Sequence, residues 1–233
     1  DGVYSSWEEA NASGIAGAAP GEIRYINHHV DLDDSGQPLE IQEINFDDYV
    51  KIGDPNPDFT YSISNNFTYK NWDASILFTG QKGGDLFWVD SWQLSGLQKT
   101  TNILSSSYAN SWIAPLYYEN GNYIYDESVG NLNSVNHPGA MIETGSRAIS
   151  SDRNIFDGSF VRLKNINIGY NFDLKEGKNM RVYLAGQNLV VWTDYPGYDP
   201  EVRTYTKNPQ KRGVDFGTYP GTRSLLLGLK LNY

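Results

Sequence analysis

No cysteine occurs among the 233 residues. That excludes disulfide stapling and thiol chemistry and leaves the cellular compartment open. Histidine is almost as scarce, with three. His28 and His29 are adjacent, so they point to opposite faces of an extended chain, and His137 precedes a proline. No partner spacing around them suggests a zinc site or a nucleophile triad. Gly83-Gly84 lacks the strand-to-helix setting of a phosphate-binding loop. The expectation is a protein that is not an enzyme. Positive charge is also short: 18 Lys and Arg against 28 Asp and Glu give a net −10, which argues against a nucleic-acid partner. No stretch approaches the roughly 18 successive apolar residues of a transmembrane helix, so that element is excluded. A transmembrane β-barrel is not, because its strands spread apolar residues over alternate positions and keep mean hydropathy low, here −0.52.

What the chain does have is aromatic residues and turn formers: 17 Tyr, 9 Phe, 6 Trp and 23 Gly. That balance favours strands and loops over helices. The clearest strand is the last stretch, TRSLLLGLKLNY (Thr222–Tyr233). Leu225, Leu227, Leu229, Leu231 and Tyr233 alternate there with Ser224, Leu226, Gly228, Lys230 and Asn232. The same alternation marks FTYSISNNFTY (Phe59–Tyr69), where Phe59, Tyr61, Ile63, Phe67 and Tyr69 share a face with Asn65, and WDASILFTG (Trp72–Gly80). The two runs are joined by Lys70-Asn71 alone, which predicts a β-hairpin. SFVRLKNINIGYNF (Ser159–Phe172) and MRVYLAGQNLVVW (Met180–Trp192) supply two more strands, linked by DLKEGKN. Within the first of these, Val161 and Leu163 sit on the opposite parity from Ile166 and Ile168, which predicts a bulge or a protein-covered upper end.

Connections thus alternate between short (70–71, 173–179) and long (81–157, 193–221). A structureless loop of that length counts against a compact soluble domain, whereas outer-membrane barrels carry long loops on the outward side and short turns on the periplasmic side. If the short turns are periplasmic, Tyr69, Trp72, Phe172 and Tyr233 fall at one rim, as an interfacial girdle requires. The expected organisation is residues 1–58 as an extracellular loop region with a short strand at 22–27, then 59–233 as five transmembrane strands with long extracellular loops at 81–157 and 193–221. Five strands cannot close a barrel, and an open edge does not survive in lipid. The chain also opens at Asp1-Gly2 with neither an initiator Met nor a signal peptide. It is expected to be completed by another piece.

Four stretches in fixed order carry a family resemblance: GDPNPDFTYSISNNFTYKNWDASILFTGQKGGDLF (Gly53–Phe87), SDRNIFDGSFVRLKNINIGYNF (Ser151–Phe172), VYLAGQNLVVWTDYPGYDPEV (Val182–Val202) and GVDFGTYPGTRSLLLGLKLNY (Gly213–Tyr233). With them the chain resembles the C-terminal end of SusC/RagA-type TonB-linked outer-membrane transporters. It departs from that pattern in ending on Tyr233 rather than Phe. Its Asp31–Val50 segment is also longer than the family's short acidic stretch. The resemblance implies an all-β fold, the last strands of a large plugged barrel of 22 strands, incomplete in this chain. It further implies TonB-dependent import of a bulky nutrient, an oligosaccharide or oligopeptide, across the outer membrane of a Gram-negative bacterium. The implied partners are a SusD-like surface lipoprotein, TonB acting through the missing N-terminal part, outer-membrane lipid or lipopolysaccharide, and the barrel-assembly machinery.

Candidate site residues fall into three groups. Trp88, Trp92, Trp112, Tyr117 and Tyr118 in the first long loop suit contact with substrate or with the lid lipoprotein, with plain loop packing as the alternative. Leu225, Leu227, Leu229, Leu231 and Tyr233 form a lipid face that also resembles a barrel-assembly signal. Asp31, Asp33 and Ser35, with Gly36, fit the start of a calcium loop. Gln42 stands where the bidentate Glu belongs and Glu43 lies one residue late, so an acidic solvated turn competes. No cofactor is expected beyond a possible Ca2+ there. Arg162, Arg181 and Arg223 fit lumen ion pairs or plug contacts. Two other readings stay open: a soluble carbohydrate-binding β-sandwich, whose strands would bury their apolar sides against each other, and a SusC-like barrel recruited into an outer-membrane assembly or translocation complex.

Overall fold

The computed structural model describes residues 2–94, 102–126, 129–130, 151–202 and 212–232. It comprises two units, one of residues 1–51 and 90–151 and the other of residues 52–89 and 152–233.

The second unit is built on one antiparallel sheet in the order β1-β2-β7-β8-β10. Its strands are β1 (Pro57–Tyr69), β2 (Trp72–Gly83), β7 (Phe160–Asp173), β8 (Asn179–Thr193) and β10 (Ser224–Asn232). Lys70, at φ +54°, closes the tight hairpin between β1 and β2. Period-two sequences and this register put like residues on like faces. Phe67, Ala74, Ile168, Leu184 and Leu227 form one cross-strand row. Thr68, Asp73, Gly169, Tyr183 and Gly228 form the neighbouring row on the other face. The apolar face is uncovered: Leu225 and Leu227 are 74% and 75% exposed. No second sheet packs on it among the described residues, so the sandwich reading fails.

The parity change in β7 is a bulge. Leu77 and Phe78 are consecutive in β2 but face Asn165 and Leu163, so Lys164 is extra. In β8 the same step takes Gln187 to Val190, with Asn188 at φ +51°. Leu163 and Val161 therefore rejoin the apolar face while Arg162 turns to the other.

At the end of the sheet away from the tight turns sits a smaller sheet, β6-β3-β9. It consists of β3 (Asp85–Trp88), β6 (Ile155–Asp157) and β9 (Val214–Asp215). β6 runs antiparallel to β3, and β9 runs parallel to it.

In the first unit, helix α1 (Trp7–Ala12) starts at Ser6, whose hydroxyl accepts the Glu9 N–H. Glu9 in turn accepts from the Ser5 N–H and hydroxyl and pairs with Arg24 at 2.6 Å. This Ser-x-x-Glu start is a helix signal inside a region expected to be loop. The strand expected at 22–27 is a single bridge, Val3 to Ile23, with the Tyr4 N–H on Glu22 and the Arg24 N–H on Gly2 beside it. Helices α2 (Asp90–Leu94) and α3 (Ser105–Asn110) and the hairpin β4 (Leu116–Glu119)–β5 (Asn122–Tyr125) complete it. Asn120 and Gly121, both at positive φ, make the β4–β5 turn.

Candidate functional site

The non-apolar face of the large sheet is neutral and hydrogen-bonding along β1, where Thr60, Ser62, Ser64, Asn66 and Thr68 follow one another. Two of its charges are locked together. Arg181 on β8 reaches across β7 to Asp73 on β2, with Nε to Oδ1 at 2.9 Å and Nη2 to Oδ2 at 2.5 Å. The guanidinium can cross because β7 carries glycine there: a Cβ on Gly169 would lie 2.4 Å from it. Asn167 accepts from Arg181 at 2.8 Å, and the Asn171 amide donates to Asp73 at 2.9 Å. Arg181 also lies 4.8 Å from the Tyr183 ring centroid, and that ring fills the space over Gly228 on β10. A bidentate pair flanked by two amides compensates Asp73 and Arg181 within the wall.

Aromatic residues border the apolar face at both ends. Tyr69, Trp72, Tyr170 and Phe172 lie at the tight-turn end, with Trp72 and Tyr170 rings 5.0 Å apart. Phe59, Tyr61 and Trp192 lie at the other. Tyr69 and Phe59 are ten steps apart on β1. That is about 33 Å of strand, or about 25 Å of height at the usual barrel tilt, the height of an outer-membrane apolar band.

The small sheet carries a compact cap. Trp88, Phe156 and Tyr195 meet edge to face at centroid distances of 5.8–6.2 Å. The Tyr195 hydroxyl donates to buried Asp215 at 2.6 Å, and Asp215 also accepts the Thr218 N–H. Beside this cluster Arg162 pairs with Asp199 at 2.5 Å and meets Glu201 at 2.7 Å. Asp199 further accepts the N–H groups of Glu201 and Gly221. The turns at Asp157-Gly158, Asp194–Gly197 and Tyr219–Gly221 lie in or next to this cap.

The sequence-selected residues divide accordingly. Leu225, Leu227, Leu229 and Leu231 line the apolar face of β10, all well exposed, and Tyr233 lies outside the described residues. Trp88 is half-buried in the ring cluster. Trp92 falls in α2, and Tyr117 and Tyr118 fall in β4; their side chains lie outside the described set. Trp112 follows α3 and is half-buried. Asp33 spends one carboxylate oxygen on its own turn, accepting the Ser35 N–H, the Ser35 hydroxyl and the Gln37 N–H. Asp31 accepts the Glu43 N–H and Gln42 bonds back to the Asp31 backbone. These residues close a small acidic hairpin, and among the described residues no three His, Asp or Glu side chains converge on an ion position. Sequence reading missed the Asp73–Arg181 and Arg162–Asp199 pairings, because a partner 37 or 108 residues away leaves no local pattern.

Antiparallel strands of 9–15 residues, with an exposed apolar face, a polar opposite face and aromatic borders, define a section of transmembrane β-barrel wall. No family model matches the chain. It is 34% identical to TonB-dependent receptor P3 of Formosa agariphila over an alignment of 243 residues, covering all of this chain and 21% of that protein. It is 32% identical over 133 residues to TonB-dependent receptor SusC of Bacteroides thetaiotaomicron, covering 48% of this chain and 12% of that one. The RagAB peptide importer in its open-open state shares the fold at TM-score 0.59 and 18% identity, over 88% of this chain and 20% of that chain. In sequence and fold the chain matches the C-terminal part of SusC/RagA-type TonB-dependent transporters. It spans about a fifth of the length of the P3 receptor and about an eighth of that of SusC.

Proposed function

We propose that this chain forms part of the wall of an outer-membrane transporter that imports a bulky nutrient, an oligosaccharide or oligopeptide, with energy delivered through TonB. Five strands serve as transmembrane staves near the barrel's closing seam. The small-sheet cap and the two long connections project outward beneath a SusD-like lipoprotein, and Trp92, Trp112, Tyr117 and Tyr118 are offered to substrate or lid. Trp88 instead holds the base of the first connection through its ring cluster.

The observation that carries this reading is the two-faced sheet. An exposed ladder of Leu, Ile and Phe suits lipid, and only a barrel or a helix can present its backbone there. The opposite face, neutral in β1 and charge-compensated around Asp73, suits a passage or plug contact for hydroxyl- and amide-rich matter. The likeness to a peptide importer supports the oligopeptide class of cargo.

The test is extraction of the full-length protein from native membranes in mild detergent, with partners read by mass spectrometry. Uptake of labelled oligosaccharides and oligopeptides would be measured in cells with and without TonB. A co-purifying surface lipoprotein and TonB-dependent uptake of one cargo class are expected. A membrane protein that keeps its full complement of assembly factors and takes up neither cargo overturns the import reading.

A further inference from the structure

Near the outward border, the apolar face is not flat. Tyr61, Gly80, Val161 and Trp192 form one cross-strand row over β1, β2, β7 and β8. Val161 is the small side chain left open in that row, so a trough runs over it between the Tyr61 and Trp192 rings. Tyr61 leans over Gly80, where a Cβ would lie 2.5 Å from both its ring and the Phe160 carbonyl oxygen, so that ring forms one wall. One row nearer the tight turns, Ile63, Phe78, Leu163 and Val190 fill the face again. The resulting groove measures about 750 Å3 and takes in Phe59, Ile63, Val161 and Trp192. Its outward mouth is polar, with Gln81, Lys82, Ser159, Thr193 and Asp194.

We propose that this groove binds an outer-leaflet glycolipid, one acyl chain lying in the trough and the sugar head at the polar mouth. The inference rests on the membrane-barrel reading given above and adds a defined lipid site to it. Three features argue for this occupant. The trough continues a face that already meets acyl chains, and it lies at the aromatic border, where rings with one polar edge sit at headgroup level. The mouth changes from apolar to polar within one strand step, matching the change along a lipid. Its charge selects the head: Lys82 is 3.4 Å from Asp157, and Asp194 stands at the same mouth. One cation among two carboxylates gives no surplus positive charge for a multiply phosphorylated head, whereas hydroxyl and amide groups can bond to every residue there.

The experiment uses the full-length transporter in nanodiscs of phosphatidylcholine doped with lipid A lacking its phosphates, with retained lipid counted by native mass spectrometry after detergent washing. Val161→Phe fills the trough with a larger lipid-facing side chain. Leu229→Phe adds the same ring elsewhere on that face. Wild type and Leu229→Phe are expected to retain one glycolipid. Val161→Phe, which removes contact with about two methylenes, is expected to lower affinity about tenfold. Equal retention by Val161→Phe, or retention of phosphatidylcholine in place of the glycolipid, overturns the proposal while leaving the barrel intact. Failure of wild type to enter nanodiscs overturns the membrane reading itself.

Discussion

The guanidinium of Arg162 and the carboxylate of Asp199 are 37 residues apart in the chain and 2.5 Å apart in space, with side chains only 2% and 7% exposed. β7 is thereby fastened to the segment after β8, and the Gly221 N–H on Asp199 brings in the approach to β10. Removing Asp199 leaves buried Arg162 with the half-exposed Glu201 alone and unbonds the Glu201 and Gly221 N–H groups, which together cost up to about 3–5 kcal/mol. Asp199→Ala should therefore speed amide exchange across Tyr195–Val202 and β9 by roughly a hundredfold or more. The charge-free double variant Arg162→Met/Asp199→Leu should recover much of the protection. Hydrogen-exchange mass spectrometry of the full-length protein checks both.

Ile76 and Ser75 are neighbours at mid-height on β2, on opposite faces. Ile76→Arg should lower folding stability in bilayers by about 2–4 kcal/mol, the cost of Arg at the lipid midplane. Ser75→Arg should change it by much less. Urea titrations in lipid vesicles compare the two, and equal effects would contradict the assignment of faces.

On β10, a Cβ on Gly228 would lie 2.2 Å from Cζ of Tyr183. Gly228→Ala should cost about 1–3 kcal/mol through overpacking. The loss should shrink when Tyr183 is also cut to Leu, so a double-mutant cycle should show coupling beyond the additive sum.

Asp48 in the first unit should respond to acid. Burial pushes its carboxyl up, but backbone N–H groups of Asn45, His29 and His28 pull it down by more, leaving it below the usual carboxylate value. A lowered pKa means the contribution is complete above the unfolded value, about 3.9, and is lost as pH falls through the folded one. Protection of the His28 and His29 amides should thus hold at neutral and mildly acidic pH and collapse only below about pH 4. Asp48→Ala should abolish that protection at every pH.

The long strands were legible because alternation reports a face directly, and each strand has one face in each environment. Even the β7 bulge showed, as Val161 and Leu163 out of step with Ile166. The cap was not legible. β3 and β9 pair in parallel across more than a hundred residues, Phe87 against Val214, and segments of two to four residues are too short to display a period. Trp88 looked like a free loop aromatic for that reason, since its partners Phe156 and Tyr195 are remote in sequence. The helix α1 was legible in its Ser6 and Glu9 start but is only six residues long. In the acidic hairpin Asp33 has the spacing of an ion ligand, while one of its oxygens accepts from the Ser35 hydroxyl and from the Ser35 and Gln37 N–H groups of its own turn.

The extra residues at Lys164 in β7 and Asn188–Leu189 in β8 act like a shift of reading frame partway up the wall. Below them, even-numbered residues of β7 meet lipid; above them, odd-numbered ones do. Deleting Lys164 would close the bulge and leave Arg162 and Val161 on their present faces, whereas inserting one residue into the regular part of β7 would turn every side chain beyond it to the opposite face. Such a wall should tolerate many substitutions on its strands while rejecting single-residue insertions or deletions in their regular parts. Length variation among related chains is then confined to the turns and the outward loops.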